Sequence, residues 1–205
     1  MRNKAYSIPL KEVGEDVIIW QEAQIVSPEH ICIGNSVIID DFAFLMGGKE
    51  KPTIRGSFIH IAGHTSIGGG GEFVMEDFAG LSGGVRVYTG NEDYLGGCLT
   101  NPAVPAPYRV PVRSYVRIGK HAIVGANSVI LPGVTIAEGA VVGALSLVTR
   151  DCEPWMIYGG VPAKPIKERR RDKILQLEAE LRANLYDKKG NYIPRLNARN
   201  LSQGY

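Results

Sequence analysis

From Ile118 to Val148 an aliphatic residue returns at every sixth position, and no other feature of the chain limits its fold so narrowly. The run reads IGKHAI, VGANSV, ILPGVT, IAEGAV, VGALSL, VTRDCE. Ile118, Val124, Ile130, Ile136, Val142 and Val148 open six consecutive hexads, and Gly or Ala follows the opener in four of them. Small or β-branched residues recur at the fifth place: Ala122, Ser128, Val134, Ala140 and Ser146. An amphipathic helix would repeat at three and four residues, and a half-buried strand would alternate. A six-residue period instead suits a parallel β-helix, each hexad supplying a short strand and a corner. Three hexads close a triangular coil, so the openers point inward and stack on their equivalents one coil away. Pro132-Gly133 suits a corner, since Pro fixes φ and Gly tolerates positive φ.

Upstream the pattern is looser. Ile19, Ile25, Ile33, Ile39 and Leu45 mark hexads with a slip between Ile25 and Ile33. Ile61 and Ile67 follow, and Gly68–Gly71 pushes the next marker to Val74. Residues 88–111 break the hexads with four prolines, three glycines and three tyrosines. A long loop within a compact repeat is usually functional. The organisation expected is a polar lead-in or cap over 1–17, a β-helix over 18–167 with the excursion loop 88–111, and a helix and tail over 168–205. EPWMIYGGVPAKPIKERR reads as an extended tail. Residues 168–186 read as an amphipathic helix with Ile174, Leu177, Leu181 and Leu185 on one face.

Composition excludes several classes. Net charge is +2, too small to indicate a nucleic-acid partner. Cys32, Cys98 and Cys152 are odd in number and widely spaced, which points to reduced thiols in a cytoplasmic protein. The first sixteen residues lack the apolar stretch of a signal peptide, and no apolar run reaches the length of a membrane span.

VGANSVILPGVTIAEGAVVGALSLVTRD followed by YGGVPAKPIKER resembles the hexapeptide-repeat acyltransferases, especially sugar acetyltransferases related to galactoside acetyltransferase. The resemblance implies a left-handed parallel β-helix, assembled as a homotrimer, with acetyl-CoA lying along the coils and active sites between subunits. GNEDYLGG and TNPAVP look like transferases of bacterial surface-polysaccharide (O-antigen or capsule) pathways. Gly125 and Gly143 fall one coil apart, as do Ala126 and Ala144, and small side chains there would admit the pantetheine arm. A tight coil corner would demand small residues equally. Lys164 is the expected phosphate contact, since a cation suits phosphate. Tyr158 and Pro162 would flank the adenine, or pack within the tail.

Acyl transfer needs a nucleophile and often a base. In the galactoside-type relatives a histidine opens the excursion loop as proton acceptor for a sugar hydroxyl; the matching residue here is Asn91. A hydroxyl needs a base, whereas an amine is partly neutral near pH 7 to 8. The departure therefore points to N-acetylation of a nucleotide-linked amino sugar. Asp93 or Glu92 would orient the amine or take its proton, and Asn91 would position it. The alternatives are O-acetylation with His64 as base, a carbonic-anhydrase-like zinc enzyme using His60, His64 and His121, and a scaffold without activity. No metal is expected.

Overall fold

A computed structural model describes residues 3–48 and 54–194. Short parallel strands stack into three walls. The first wall takes Ile18–Ile19, Ile38–Ile39, His60–Ile61, Gly80–Leu81, Ile123–Val124, Val141–Val142 and Met156–Gly159. The second takes Gln24–Val26, Phe44–Met46, Ser66–Gly68, Arg86–Tyr88, Val129–Ile130 and Leu147–Val148. The third takes Glu72–Met75, Tyr115–Ile118 and Val134–Ile136, with Cys152 bridged to Ile136. The walls close the parallel β-helix that the hexads predict, with the left-handed winding that the family resemblance implies.

Burial follows the period. All six hexad openers from Ile118 to Val148 are at most 1% exposed, and the fifth-place residues Ala122 to Ser146 at most 2%. Val124 lies in register with Val142 and with Leu81. Each inner column is therefore a file of aliphatic side chains, and removing that apolar surface from water drives the winding.

Two expectations need correction. Val74 is not an inward marker: Phe73 and Met75 are buried, and Val74 pairs outward with Arg117. The extra glycines shift the strand by one residue, which exchanges its faces. The extended tail is a hairpin, with Met156–Gly159 antiparallel to Lys164–Glu168 and the first strand continuing the first wall. The opening segment packs on the end of the stack, where Glu12–Val13 pairs with Cys32–Ile33 and Ala5 is wholly buried.

Helix α1 spans Asp172–Leu185. It turns Glu178 inward, while Leu177 is 50% exposed, so the expected apolar face is only partly the packing face. The reason lies on the β-helix. The corner between the third and first walls carries Phe58, Phe78, His121 and Trp155, all with positive φ. Their rings stack upward: Phe58 on Phe78 at 4.8 Å, Phe78 on His121 at 4.9 Å, then Trp155 at 6.1 Å. Gly139 occupies the intervening coil, where an added Cβ would lie 2.3 Å from Trp155. Glu178 binds Lys120 at 2.7 Å, His121 at 2.8 Å and Arg182 at 2.6 Å, and Arg182 also pairs with Asp77. Burial alone would push the Glu178 carboxyl up, but these three donors outweigh it and hold it at about 2. No helix among the described residues is long and apolar enough to cross a membrane.

Candidate active site

The corner between the first and second walls carries the residues expected to hold a cofactor. Pairing of Ile123–Val124 with Val141–Val142 sets Gly125 and Ala126 directly against Gly143 and Ala144. The two glycines are small for different reasons. A Cβ on Gly125 would meet the Ala144 nitrogen at 2.4 Å, so coil stacking imposes glycine there. A Cβ on Gly143 would meet nothing closer than 3.4 Å, so packing leaves room for a methyl.

Backbone bonding at this corner is selective. Gly125 N–H donates to Val142 O at 2.7 Å, Asn127 N–H to Gly83 O at 3.0 Å, Gly143 N–H to Tyr158 O at 2.8 Å and Leu145 N–H to Ala126 O at 2.9 Å. Between these donors, the N–H groups of Ala126 and Ala144 find no acceptor among the described residues. Ala144 is exposed and Ala126 half-buried. The two donors stand one coil apart, ~4.8 Å by strand spacing. An extended molecule with amide carbonyls along its length matches such a ladder.

At the head of the same corner lies the turn of the terminal hairpin. Gly160 N–H donates to Ser146 Oγ at 3.1 Å, and Ala163 N–H to Leu147 O at 2.8 Å, which pins the turn. Pro162 and Lys164 are exposed there. Tyr158 is not available to an adenine: it is 7% exposed, tops the inner file above Val142, and its hydroxyl accepts the Glu153 N–H at 2.9 Å. His64 stands on this corner too, nearer the amino-terminal end. It is exposed, and its ring stacks on Phe42 at 5.1 Å.

Asn91, Glu92 and Asp93 belong to the next corner, between the second and third walls. Gly90–Asn91 pairs antiparallel with Val112–Arg113 to make a two-stranded stem for the excursion loop. Arg109 grips Glu92 through two hydrogen bonds, one of 2.8 Å to Oε2, and this guanidinium holds the Glu92 carboxyl below its usual range. Asp93 accepts the backbone N–H groups of Leu95 at 2.8 Å and Cys98 at 2.9 Å, and also that of Gly97. The Leu95 amide, followed by those of Cys98 and Gly97, lowers the Asp93 carboxyl against a smaller opposing effect of burial. Both carboxylates are thus strong hydrogen-bond acceptors and weak proton acceptors at neutral pH. No motif marks Arg109 in the sequence; its one signal is that it is the one Lys or Arg between residues 88 and 111, a segment with two acids.

The remaining histidines are dispersed. His60 pairs with Asp40 at 3.0 Å on the outside of the first wall, and His121 is buried against Glu178. Among the described residues no three His, Cys, Asp or Glu side chains gather as a metal would require. Cys152 is buried, and burial followed by the nearby Asp151 charge pushes its thiol up to about 12.

Residues 115–150 match the family Bacterial transferase hexapeptide (six repeats). The chain is 44% identical over 169 residues to a dTDP-4-amino-4,6-dideoxy-D-glucose acyltransferase of Escherichia coli, covering 82% of this chain and 87% of that one. It is similar to the crystal structure of AntD, an N-acyltransferase from Bacillus cereus in complex with dTDP and 3-hydroxybutyryl-CoA. There the identity is 41% and the TM-score 0.81, over 89% of this chain and 98% of that chain. Similarity to the galactoside O-acetyltransferase of Escherichia coli K12 is 44% over 53 residues, 26% of each chain.

Proposed function

Because this chain belongs to the hexapeptide-repeat acyltransferases, we propose that it moves an acyl group from coenzyme A to the amine of a dTDP-linked 4-amino-4,6-dideoxy sugar. The observation that carries this reading is the state of the loop acids. Asn91 stands where the galactoside-type resemblance expects a histidine, and Glu92 and Asp93 are held ionised by Arg109 and by backbone amides. Such groups orient an N–H without needing to remove a proton from a hydroxyl. The extent of similarity agrees: the match to the aminosugar acyltransferase spans 82% of this chain, and that to the O-acetyltransferase only 26%.

In the reaction the neutral amine attacks the thioester carbonyl. A C–N bond forms, the C–S bond breaks, and the amine proton leaves with the departing thiolate or to solvent. The pantetheine arm lies along the corner of Ala126 and Ala144, and Lys164 stands at the phosphate end. Asp93 accepts a hydrogen bond from the amine and aligns its lone pair.

The working unit in this reading is a homotrimer, each site combining the cofactor corner of one protomer with the excursion loop of the next. Its support is that Ala126 and Ala144 lie on one corner of the coil and Asn91–Asp93 on another. The enzyme acts in the cytoplasm, where acyl-CoA is supplied, in building surface polysaccharide.

Thiol release measured with acetyl-CoA and 3-hydroxybutyryl-CoA, against dTDP-4-amino-4,6-dideoxyglucose and hydroxy-sugar controls, tests the chemistry. Turnover with hydroxyl acceptors alone would defeat it. Asp93→Asn should lower kcat about 100-fold, on the scale of a lost positioning group; unchanged turnover removes Asp93 from the site. Mixing Asp93→Asn and Ala144→Trp protomers should restore activity if sites are shared between chains.

A further inference from the structure

We infer that the cavity at the foot of the excursion loop receives the nucleoside diphosphate of the acceptor, with Arg113 as its phosphate ligand. The inference rests on the reading that the acceptor is nucleotide-linked, and it assigns that half of the molecule a place apart from the cofactor corner.

The cavity measures about 530 Å³ and is lined by Val26, Ser27, Met46, Gly70, Arg113 and Ser114, among others. That volume lies within the range of small-molecule sites. Its walls are of three kinds. Val26 and Met46 offer an apolar side. Ser27 and Ser114 offer hydroxyls. Arg113 supplies a cation and lies against Gly70, where an added Cβ would come within 3.2 Å of the guanidinium. One Arg113 N–H is given to Gly69 O, which fixes the side chain in place. A guanidinium carries five donors in a planar fork, so one anchoring bond leaves the rest of the fork for an anion. Glu72 also lines the cavity, and its charge is answered by Arg117 at 3.8 Å. A carboxylate beside a cation suits a ligand that brings both hydroxyls and phosphate.

Connectivity links this cavity to the loop acids. Arg113 pairs with Gly90, and its neighbour Val112 pairs with Asn91. One short stem therefore carries the cation on one strand and the start of Asn91-Glu92-Asp93 on the other. A diphosphate held by Arg113 sends the attached sugar along the stem toward those residues. The cofactor corner lies across the second wall and stays free for coenzyme A.

Calorimetric titration of the intact protein with dTDP, UDP and coenzyme A tests the assignment. Wild type should bind dTDP. Arg113→Ala should weaken it at least about tenfold, as expected for a lost charge-assisted bond, and Arg113→Lys less. Val26→Trp, which fills the cavity without touching the cation, should weaken dTDP equally. Coenzyme A affinity should be unchanged in all three, which separates a binding effect from misfolding. Wild-type dTDP affinity in both Arg113→Ala and Val26→Trp would overturn the inference, as would no nucleotide binding at all. Arg113-dependent binding of UDP without dTDP would keep the cavity and sink the thymidine acceptor. A change of oligomeric mass in Val26→Trp with dTDP affinity intact would make the cavity a subunit contact and overturn the proposal.

Discussion

Glu178→Gln removes one charge and preserves shape, at a position where three donors converge on a carboxylate only 8% exposed. The carboxyl is held at about 2 against an ordinary 4.5. Each pKa unit is worth about 1.36 kcal/mol, so the interaction contributes roughly 3 kcal/mol to folding. The loss of one member of a buried ion cluster typically falls in the same range, about 3–5 kcal/mol. For a chain of this length that corresponds to a fall in Tm of roughly 6–12 °C. The sign of the pH dependence follows from the direction of the shift. A depressed carboxyl stabilises fully above the unfolded value of 4.5, and the contribution fades as pH falls from there toward 2. Thermal unfolding of both proteins near pH 7 and near pH 3.5 should show the gap narrowing in acid, to about 2 kcal/mol at the lower pH. A gap of the same size at both, or none near neutrality, would mean that Glu178 is not held by its cations as described.

Gly139→Ala should destabilise by about 2–4 kcal/mol, since it adds a methyl against Trp155 at a positive φ; tryptophan-fluorescence melting reads this, and an unchanged midpoint counts against the ring stack. Ala144→Val should raise the KM for acyl-CoA about tenfold, the scale of one obstructed hydrogen bond, and leave the acceptor KM alone. Equal KM values for acyl-CoA would take the ladder out of cofactor binding. Cys98, half-buried on the excursion loop, should react with a thiol reagent well before Cys152, whose thiol is pushed up to about 12. Mass spectrometry of partly labelled protein gives the order, and early labelling of Cys152 would contradict its burial.

The coils after Ile118 were legible because a single register repeats without a slip, and one inner file accounts for every opener. Val74 misled because four glycines add a residue whose only trace is a change of strand face. The loop was recognisable by its prolines, and the acids that define it by their place in the strand-loop transition. Their partners were harder to see. The Glu92–Arg109 pair spans seventeen residues, and the Asp93 bonds go to backbone groups, for which no side chain in the sequence speaks. The helix was expected from its leucines, yet Glu178 decides how it lies. That choice depends on Lys120, His121 and Asp77, more than fifty residues away. A trace existed in the twenty-residue interval from Phe58 to Phe78, which repeats an aromatic on one corner.

Chains built by stacking like units tend to peel open from their ends, one unit at a time. Here the carboxyl-terminal segment runs back along the ring column as a splint. Arg169 donates to the His121 and Gly139 carbonyls, Arg182 reaches Asp77, Tyr186 meets Phe58, and the Tyr192 hydroxyl bonds Asp16 in the opening coil at 2.8 Å. Rungs before and after the excursion are thereby laced to one strut, which holds the spiral closed at the place where its repeat is interrupted.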